Sequence, residues 1–522
     1  MFFFQYLYKI LSMVYEQLQR AIERYPNNIM IVEIQGKSIT YRSFDDAITL
    51  MEENLRKLGF GYGSKLLIAS VNNIDIIAAF YAVAKIGGIF IPVDPILSKV
   101  EFHNMVTDAR ANLVFVHESM ALKYPDFKDG EPLNKSFSSK HGKLFYKQTN
   151  LAYTPTSEKV GPQTEFFHLY SSGSSGKPKG ARLTQENIYY QCEIWAKNAD
   201  IRSTDKFMCG MPISHSHGLT VSFPTFAVGG CLHYVDAMTL VPPRAFDYIE
   251  KHAITLVSGV PYFFKVLLNY HEDIRAKIKS LRKTICGSAP MSENLGIEFH
   301  KKYGIHICQA FGISEIGLIC LNHMEDNTSK YGSVGKVFPE FQYKIVDEQL
   351  NPVKKGERGH FLVQSKGLAI GYSNAPEEEK KMFVNGWFHT QDIVEEDQHG
   401  NIYVIGRISN FINVNGNKVF PAEVEKVILG LENVKDCAVM AEKDEQAGEL
   451  VRAFIVPSSP ITTDEIRAHC LKFLTSFKIP RIIDIVDELP HSSTGKVMYN
   501  KINKKLNTQF EEALEDEDLV AY

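Results

Sequence analysis

The stretch YSSGSSGKPKG, residues 170–180, decides how the rest of this sequence is interpreted. It packs seven Gly and Ser residues and two lysines into eleven positions. That composition is typical of a flexible linker or of a loop that holds many negative charges. A linker should have polar flanks, whereas this stretch follows the apolar EFFHLY and precedes RLTQENIYYQCEIW, which has a Thr cap signal and helical spacing. Strand, glycine-rich turn and helix is the predicted order, and it favours a phosphate loop with Lys177 and Lys179 adding charge.

The two common nucleotide motifs do not fit this loop. Its only GK pair is Gly176-Lys177, with Ser171 where GxxxxGK[ST] needs glycine and Pro178 after the lysine. The spacing of the Rossmann GxGxxG also fails. The sequence therefore indicates a phosphate loop of another kind.

Composition sets the broad class. With 522 residues the chain is too long for one hydrophobic core, so at least two domains are expected. A hydrophobic content of 44%, a charged content of 23% and a net charge of −4 fit a globular protein and give no electrostatic argument for nucleic acid or an anionic membrane. None of the eight cysteines shows CxxC spacing, which favours a reducing cytoplasm over a zinc ribbon or a disulfide framework.

The two ends of the chain differ from its body. MFFFQYLYKILSMV resembles a secretion signal but lacks a basic start and a cleavage site, so a surface-packed extension or a start codon upstream of Met13 is expected. No segment reaches 18 apolar residues without charges, so no transmembrane helix is predicted. From about residue 509 the chain is acidic, which predicts a solvated tail.

The pattern of apolar runs predicts an α/β fold. Residues 65–95 read as strand, Asn-rich turn, helix, Gly-Gly stop and strand, a βαβ unit of a mostly parallel sheet, and similar units recur at 254–270 and 283–312. Short strands broken by Gly and Pro predict a small antiparallel barrel between Tyr331 and Tyr372. After Gly406 a compact α+β unit of about a hundred residues is expected.

Seven motifs in order resemble the adenylate-forming superfamily, which includes acyl- and aryl-CoA synthetases, peptide-synthetase adenylation domains and firefly luciferase. These motifs are SSGSSGKPKG (171–180), PISHSHG (212–218), GSAP (287–290), QAFGISE (309–315), GWFHTQD (386–392), GRISNFINVNGNKVFPAEVE (406–425) and STGK (493–496). The resemblance runs from about residue 14 to residue 505. It implies a large N-terminal AMP-binding domain, 1–406, with two mostly parallel sheets, flanking helices and a small β-barrel. A small mobile α+β lid, 407–522, follows.

The resemblance implies that a carboxylate attacks the α-phosphorus of ATP, giving an acyl-adenylate and pyrophosphate, and that a thiol then displaces AMP. Glu315 would bind Mg²⁺, Ser314 would contact the α-phosphate, Asp392 and Arg407 would hold the ribose, and Phe311 would stack on adenine or serve as a core aromatic. Gln391 replaces the family glycine and should adjust the loop backbone. The residues implied in ATP or AMP binding are Ser171, Ser172, Gly173, Ser174, Ser175, Gly176, Lys179, Gly287, Ser288, Ala289, Pro290, Phe311, Gly312, Ser314, Asp392, Arg407 and Lys496.

Lys496 carries the main catalytic role that the resemblance implies, together with His215, Ser314 and Glu315. It would reach from the lid to the α-phosphate and the substrate carboxylate. Rotation of the lid about a hinge at Ser409 would then bring Gly416 to the site and open a thiol tunnel.

The acid pocket implied by the family register is apolar. It would consist of His215, Val260, Phe263, Gly287, Ile313, Ile316 and Gly317. An acidic residue that would pair with an α-ammonium is missing from MPISHSHGLTVSF, so a fatty or aryl acid is favoured over an amino acid. His215 and His217 could suggest a metal, but no third ligand lies nearby in the sequence, so a metal site is disfavoured. For His215, a wall or gate of the acid pocket is favoured.

The sequence leaves two candidates for the thiol acceptor. Coenzyme A is favoured because GNKVFPAEVE resembles stand-alone CoA ligases, and the phosphopantetheine thiol of a separate acyl-carrier protein is the alternative. A light-producing oxygenase on the same scaffold is a remote alternative function. A catalytically inactive adenylate-binding regulator is disfavoured because Lys496, Glu315 and Asp392 are all present.

Overall fold

A computed structural model describes most of the chain. The described residues are 12–34, 36–94, 97–121, 123–124, 131–132, 144–149, 158–172, 178–236, 239–326, 328–408, 411–415, 417–444, 448–491, 497–499 and 501–502. Among them, no helix combines the length and apolar character needed to cross a membrane.

The first third of the chain forms α1 to α5 and β1 to β9. Their bounds are α1 Met13–Arg24, β1 Ile29–Val32, β2 Ser38–Thr40, α2 Tyr41–Lys57, β3 Lys65–Ala69, α3 Ile74–Ile86, β4 Ile89–Val93, α4 Lys99–Ala109, β5 Leu113–His117, α5 Glu118–Ala121, β6 Glu131–Pro132, β7 Leu144–Gln148, β8 Glu165–Ser172 and β9 Pro178–Thr184.

The predicted βαβ unit at 65–95 is confirmed. The β3 and β4 strands are parallel neighbours. Asn73 caps α3 by accepting the N–H of Ile76, and Gly87 ends that helix in the left-handed region at φ 81°. These strands belong to an eight-stranded sheet of order β19-β9-β8-β4-β3-β5-β7-β6, in which β19 is Gly371–Ser373.

The middle of the chain builds a second sheet. Its elements are α6 Gln185–Asn198, β10 Lys206–Cys209, α7 Ser216–Ala227, β11 Cys231–Tyr234, α8 Arg244–His252, β12 Leu256–Gly259, α9 Pro261–Leu268, β13 Lys283–Cys286, α10 Glu293–Tyr303, β14 Ile307–Ile313, β15 Gly317–Leu321 and β16 Lys336–Val337. The sheet has nine strands in the order β16-β15-β14-β13-β12-β10-β11-β1-β2. Its centre, from β1 through β11, β10, β12 and β13 to β14, is parallel, as predicted for 254–270 and 283–312.

The two sheets share one core in which α3 is buried on nearly every side. Phe80 of α3 stacks on Phe223 of α7, with centroids 3.9 Å apart, and makes edge contacts with Phe90 and Phe166 of the eight-stranded sheet. Because aromatic burial dominates core energetics, this cluster fixes the two sheets relative to each other.

A five-stranded antiparallel sheet of order β17-β18-β21-β20, with β22 beside β21, corresponds to the predicted barrel. Its part of the chain contains β17 Gln342–Val346, β18 Arg358–Gln364, β19 Gly371–Ser373, α11 Pro376–Met382, β20 Phe383–Val384, β21 Trp387–Glu396 and β22 Ile402–Arg407. The predicted bounds were wrong at both ends. At the first end, β16 at Lys336–Val337 belongs to the nine-stranded sheet and the small sheet begins only at Gln342. Tyr372 lies in β19, which pairs with β9 of the eight-stranded sheet, and the small sheet continues to Arg407.

The α+β unit that was expected after Gly406 has its own core. It consists of β23 Ile412–Val414, β24 Asn417–Val419, α12 Pro421–Ile428, β25 Val434–Asp444, β26 Gly448–Pro457, α13 Thr463–Phe473, a 3-10 helix Ser476–Lys478 and β27 Ile482–Ile485. Val424, Ile428, Ile466 and Cys470 are fully buried between its helices and its sheet. A separate core is what an independent domain requires, although the boundary at residue 406 stays a prediction.

Candidate active site

The phosphate-loop stretch lies between two paired strands. The described flanks are β8 and β9, which run antiparallel with Ser171 opposite Lys179. The side chains of Ser171 and Ser172, and the residues Gly173, Ser174, Ser175 and Gly176, lie outside what the structure describes.

The prediction that a helix directly follows the glycine-rich turn was wrong. Pro178–Thr184 continues as a strand because its residues pair with both β8 and β19. The Thr cap was correct, since the Thr184 hydroxyl accepts the N–H of Asn187 at the start of α6. Lys179, at the start of this strand, is described, and its Nζ lies 3.4 Å from Glu378 Oε1.

Glu315 is held at the tip of the hairpin that β14 and β15 form. Gly312 makes the tight turn possible, because a side chain there would meet the carbonyl oxygen of Gly317 at 2.5 Å. Tyr372 donates from its hydroxyl to Glu315 Oε1 over 2.5 Å. Burial first, and then the Glu315 carboxylate, raise the pKa of Tyr372 well above its usual value, so this tyrosine stays a donor at neutral pH. The sequence motifs did not indicate Tyr372.

Asp392 and Arg407 face each other across β21 and β22. Asp392 is only 3% exposed, and Arg407 Nε donates to its Oδ1 over 3.0 Å. The Asp392 carboxylate is the main cause that raises the pKa of Arg407, and Glu315 and Tyr372 contribute as well. These four side chains therefore form one electrostatic cluster, which joins the predicted ribose pair to the predicted metal ligand.

Gln391 occupies the position where the family has glycine. Its φ is +65°, in the left-handed region of the backbone that residues other than Gly, Asn and Asp rarely adopt. The backbone thus keeps the conformation that glycine favours while the residue has changed. Thr390 supports the turn, because its hydroxyl accepts the N–H of Asp392 and donates to the carbonyl oxygen of Phe361.

The GSAP segment follows β13 at the carboxyl end of the parallel strands, where doubly wound sheets place their ligands. Gly287 is buried, Ser288 and Ala289 are half-buried and Pro290 is exposed. Ser288 has φ +69° and contacts His217, whose Nδ1 lies 2.9 Å from its hydroxyl.

His217 is a residue that the sequence analysis did not include in the site. Its Nε2 lies 2.6 Å from the Ser258 hydroxyl. A Cβ atom added to Gly287 would lie 3.7 Å from the His217 ring, so the histidine lies beside this glycine. His215 instead contacts Asp94, with Nε2 2.7 Å from Oδ2. The two histidines therefore have different partners. Within the described ranges, no group of three or more His, Cys, Asp and Glu side chains could hold a metal ion.

The remaining residues of the predicted acid pocket are buried. Val260, Phe263, Ile313 and Ile316 are between 1% and 8% exposed and belong to the main core. Gly317, at φ +79°, leaves room for the Gln191 side chain. A Cβ atom on Gly317 would lie only 3.0 Å from that side chain. Phe311 packs near Phe361, with ring centroids 6.2 Å apart.

Besides the residues of the glycine-rich loop, three further predicted residues lie outside the described part of the chain. They are Ser409 at the hinge, Gly416 at the thiol tunnel and Lys496. Their roles stay predictions.

Comparison with known proteins assigns the family. The sequence model of AMP-binding enzymes matches residues 18–373, and that of the AMP-binding enzyme C-terminal domain matches residues 423–496. A feruloyl-CoA synthase of an Amycolatopsis species is 27% identical over 477 residues, covering 90% of this chain and 94% of that protein. A 2-succinylbenzoate–CoA ligase of Oceanobacillus iheyensis is 27% identical over 498 residues, covering 93% and 98%.

The fold has counterparts among solved structures. ATP-bound MatB from Rhodopseudomonas palustris superposes with a TM-score of 0.83 at 22% identity, covering 95% of this chain and 99% of that one. The o-succinylbenzoate CoA synthetase of Bacillus subtilis, in complex with its acyl-adenylate, gives a TM-score of 0.79 at 23% identity, covering 93% and 97%. The family match and the fold agree with the motifs. The chain belongs to the AMP-binding enzyme family, and it is an AMP-forming ligase of the acyl-CoA synthetase type.

Proposed function

We propose that this protein activates a fatty or aryl carboxylic acid with ATP and transfers the acyl group to coenzyme A. The observation that carries the proposal is the cluster of Glu315, Tyr372, Asp392 and Arg407. In it Tyr372 donates to Glu315, Arg407 donates to Asp392, and both carboxylates raise the pKa of Arg407. Such a cluster offers acceptors for ribose hydroxyls next to a carboxylate for a phosphate-bound cation.

The first half-reaction joins two anions, so stabilisation of charge should dominate its rate. A carboxylate oxygen of the acid bonds to the α-phosphorus, and the bond from that phosphorus to pyrophosphate breaks. In our proposal Asp392 and Arg407 orient the ribose, while Lys496, Ser314 and the 171–176 loop contact the phosphates. In the second half-reaction the thiol sulfur bonds to the acyl carbon, and AMP leaves with the former carboxylate oxygen.

The residues around Glu315 fit a magnesium ion. Magnesium usually binds nucleotide sites through one or two carboxylates, with phosphate oxygens and water completing its shell. Tyr372 donates to Oε1 of Glu315, so Oε2 is the oxygen that would reach the cation. When bound, the ion would neutralise charge that develops on the phosphate oxygens.

The acid pocket combines an apolar body with one polar edge. Phe263, Ile313 and Ile316 suit a hydrocarbon chain or ring, while His217 with Ser258 and Ser288 supplies hydrogen-bonding groups at the Gly287 wall. An aryl acid with a polar substituent would use both surfaces. Asp94 fixes the His215 ring, which supports a wall or gate role for that histidine.

The domain division at 406/407 and rotation of the lid about Ser409 are part of the same proposal. Several of the described contacts between the two parts are polar. Lys426 Nζ lies 3.0 Å from Glu293 Oε1, and Asn294 Nδ2 donates to the carbonyl oxygen of Gly430. Polar interfaces of this kind are compatible with domain motion.

A panel of acids tests the proposal. Benzoate, cinnamate, 4-hydroxycinnamate, hexanoate and dodecanoate are offered with ATP and Mg²⁺, and pyrophosphate release is followed. We expect release that depends on at least one acid, whereas no release with any acid would favour the inactive regulator. Adding coenzyme A or a holo-acyl-carrier protein then distinguishes the acceptors, and we expect coenzyme A to accelerate AMP release.

A further inference from the structure

We call residues 491–499, which include Lys496, the lysine segment. A tyrosine anchors the C-terminal end of this segment. Tyr499 lies three residues after the lysine, and its Oη donates to Oε1 of Glu425 over 2.6 Å. The same oxygen accepts the N–H of Val439 over 2.8 Å. Glu425 belongs to α12 and Val439 to β25, so a single carboxyl oxygen ties this end of the segment to a helix and a strand.

The N-terminal side has a second anchor. His491 Nε2 lies 3.1 Å from Asp436 Oδ2, and its Nδ1 lies 2.9 Å from the carbonyl oxygen of Leu489. Both ring nitrogens thus face acceptors, and the hydrogen bond to Asp436 is the main cause that raises the pKa of His491. A backbone bridge pairs His491 with Val497, which brings the two anchored ends together.

Both anchors converge on one strand. Asp436 and Val439 stand three residues apart in β25. Lys265, on the helix α9 that also carries Phe263 of the acid pocket, donates to the carbonyl oxygen of Lys435 over 3.0 Å. The strand that fixes the segment therefore also contacts the helix of the acid pocket.

We propose that Tyr499 and Glu425, together with His491 and Asp436, are positioning residues that hold the ends of the segment so that Lys496 reaches the reacting phosphate. The inference rests on the proposed function, because it requires Lys496 to act in the adenylation half-reaction. Lysine has a long flexible side chain, so its accuracy depends on the backbone that carries it. A displacement of about 1 Å at a reacting group can cost about a hundredfold in rate.

A purely structural role for these contacts makes a different prediction. If they only stabilise the C-terminal unit, their loss should affect both half-reactions to a similar degree. If they position Lys496, adenylation should fall while thiol transfer from a preformed adenylate stays near normal.

The test uses Tyr499→Phe in the full-length protein, with the most active acid of the panel. We expect the kcat of acid-dependent pyrophosphate exchange to fall about 10- to 100-fold, with the KM for ATP within about twofold. Transfer from synthetic acyl-AMP to coenzyme A should also stay within about twofold. The control is Ile466→Val, a conservative change in the separate core of the same unit. Equal losses in both half-reactions, or no loss in either, would overturn the inference.

Glu425 offers a conservative rescue. Burial is the main cause that raises the pKa of its carboxyl to about 7, so a neutral amide resembles its protonated form. Glu425→Gln keeps an oxygen that accepts from Tyr499 and Val439 and should retain adenylation, whereas Glu425→Ala should lose it as Tyr499→Phe does. Equal activity of the two Glu425 variants would contradict the anchoring role.

A readout without any acid completes the test. The Met498 N–H donates to the carbonyl oxygen of Pro490 over 2.8 Å, so its hydrogen exchange reports on the anchored ends. Exchange there should accelerate in Tyr499→Phe but not in Ile466→Val, and unchanged exchange would count against the inference. Lys496→Ala separates the two proposals, because full adenylation in that variant would refute the role of the lysine itself.

Discussion

The proposed ribose pair and the proposed anchors of the lysine are assembled in opposite ways. Asp392 and Arg407 stand 15 residues apart on adjacent strands and meet because the strand register makes them opposite. Tyr499 and Glu425 stand 74 residues apart and meet only because the C-terminal unit packs around them. The first arrangement resists small changes in packing, whereas the second, in our proposal, links the position of Lys496 to the integrity of the whole C-terminal unit.

The largest effect is expected for Lys496→Ala. Removing the charge that the resemblance assigns to the transition state should lower adenylation by about two orders of magnitude or more. Transfer of a preformed adenylate to coenzyme A should be much less affected. Pyrophosphate exchange and AMP release from synthetic adenylate measure the two steps, and comparable losses in both would show that the lysine is not specific to the first.

Asp392→Ala should have the next largest effect. It removes a buried carboxylate and leaves Arg407 without its Nε partner, and hydrogen bonds to charged groups contribute about 1.5 to 3 kcal/mol each. We expect kcat/KM for ATP to fall about 10- to 100-fold, with a smaller change for the acid. Glu395→Ala on the same strand is the control. An effect confined to the acid would contradict the ribose role.

Glu315→Gln should change the metal requirement. The amide keeps an oxygen that accepts from Tyr372, so the fold is preserved while the negative charge is lost. The Mg²⁺ concentration that gives half-maximal pyrophosphate release should rise roughly tenfold, since carboxylate is the preferred protein ligand. Glu377→Gln, on the exposed face of α11, should leave the titration unchanged. Identical titrations for wild type and Glu315→Gln would remove Glu315 as a ligand.

The smallest effect is expected for Gln391→Gly. A left-handed conformation costs a non-glycine residue about 1 to 2 kcal/mol, but glycine adds about 0.4 to 1 kcal/mol of unfolded-state entropy. The free energy of unfolding should therefore change by about 1 kcal/mol or less, as measured by denaturant titration. The reverse change, Gly317→Ala, should destabilise because φ is +79° and Gln191 lies close. A large loss in Gln391→Gly would show that the glutamine side chain has a role of its own.

The comparison also shows what a sequence can predict. The βαβ units were predictable because local apolar patterns indicate their strands and helices. The proximity of Asp392 and Arg407 followed from their places in two neighbouring motifs. Tyr372 was missed because it lies outside the recognised motifs and reaches Glu315 through the packing of distant elements. His217 lies within PISHSHG but was missed because its partners, Ser258 and Ser288, come from distant segments of the chain. The helix predicted after the glycine loop was wrong because β9 finds pairing partners on both sides, a tertiary effect that spacing does not report.

The C-terminal anchors illustrate the same limit. The STGK motif indicates a lysine, but nothing in its spacing points to Glu425 or Asp436, which come from elements far earlier in the chain. Their contacts depend on how α12 and β25 pack in the folded unit. Such residues become visible only when the side chains are placed in space.

Transfer of oxygen from the acid to AMP tests the central claim most directly. The protein is incubated with ATP, Mg²⁺, coenzyme A and the most active acid, labelled with ¹⁸O in both carboxylate oxygens. The masses of the products are then measured by mass spectrometry. Attack of the carboxylate on the α-phosphorus predicts one ¹⁸O atom in each AMP and none in pyrophosphate. Unlabelled AMP, or label in inorganic phosphate with ADP as the nucleotide product, would contradict an acyl-adenylate route.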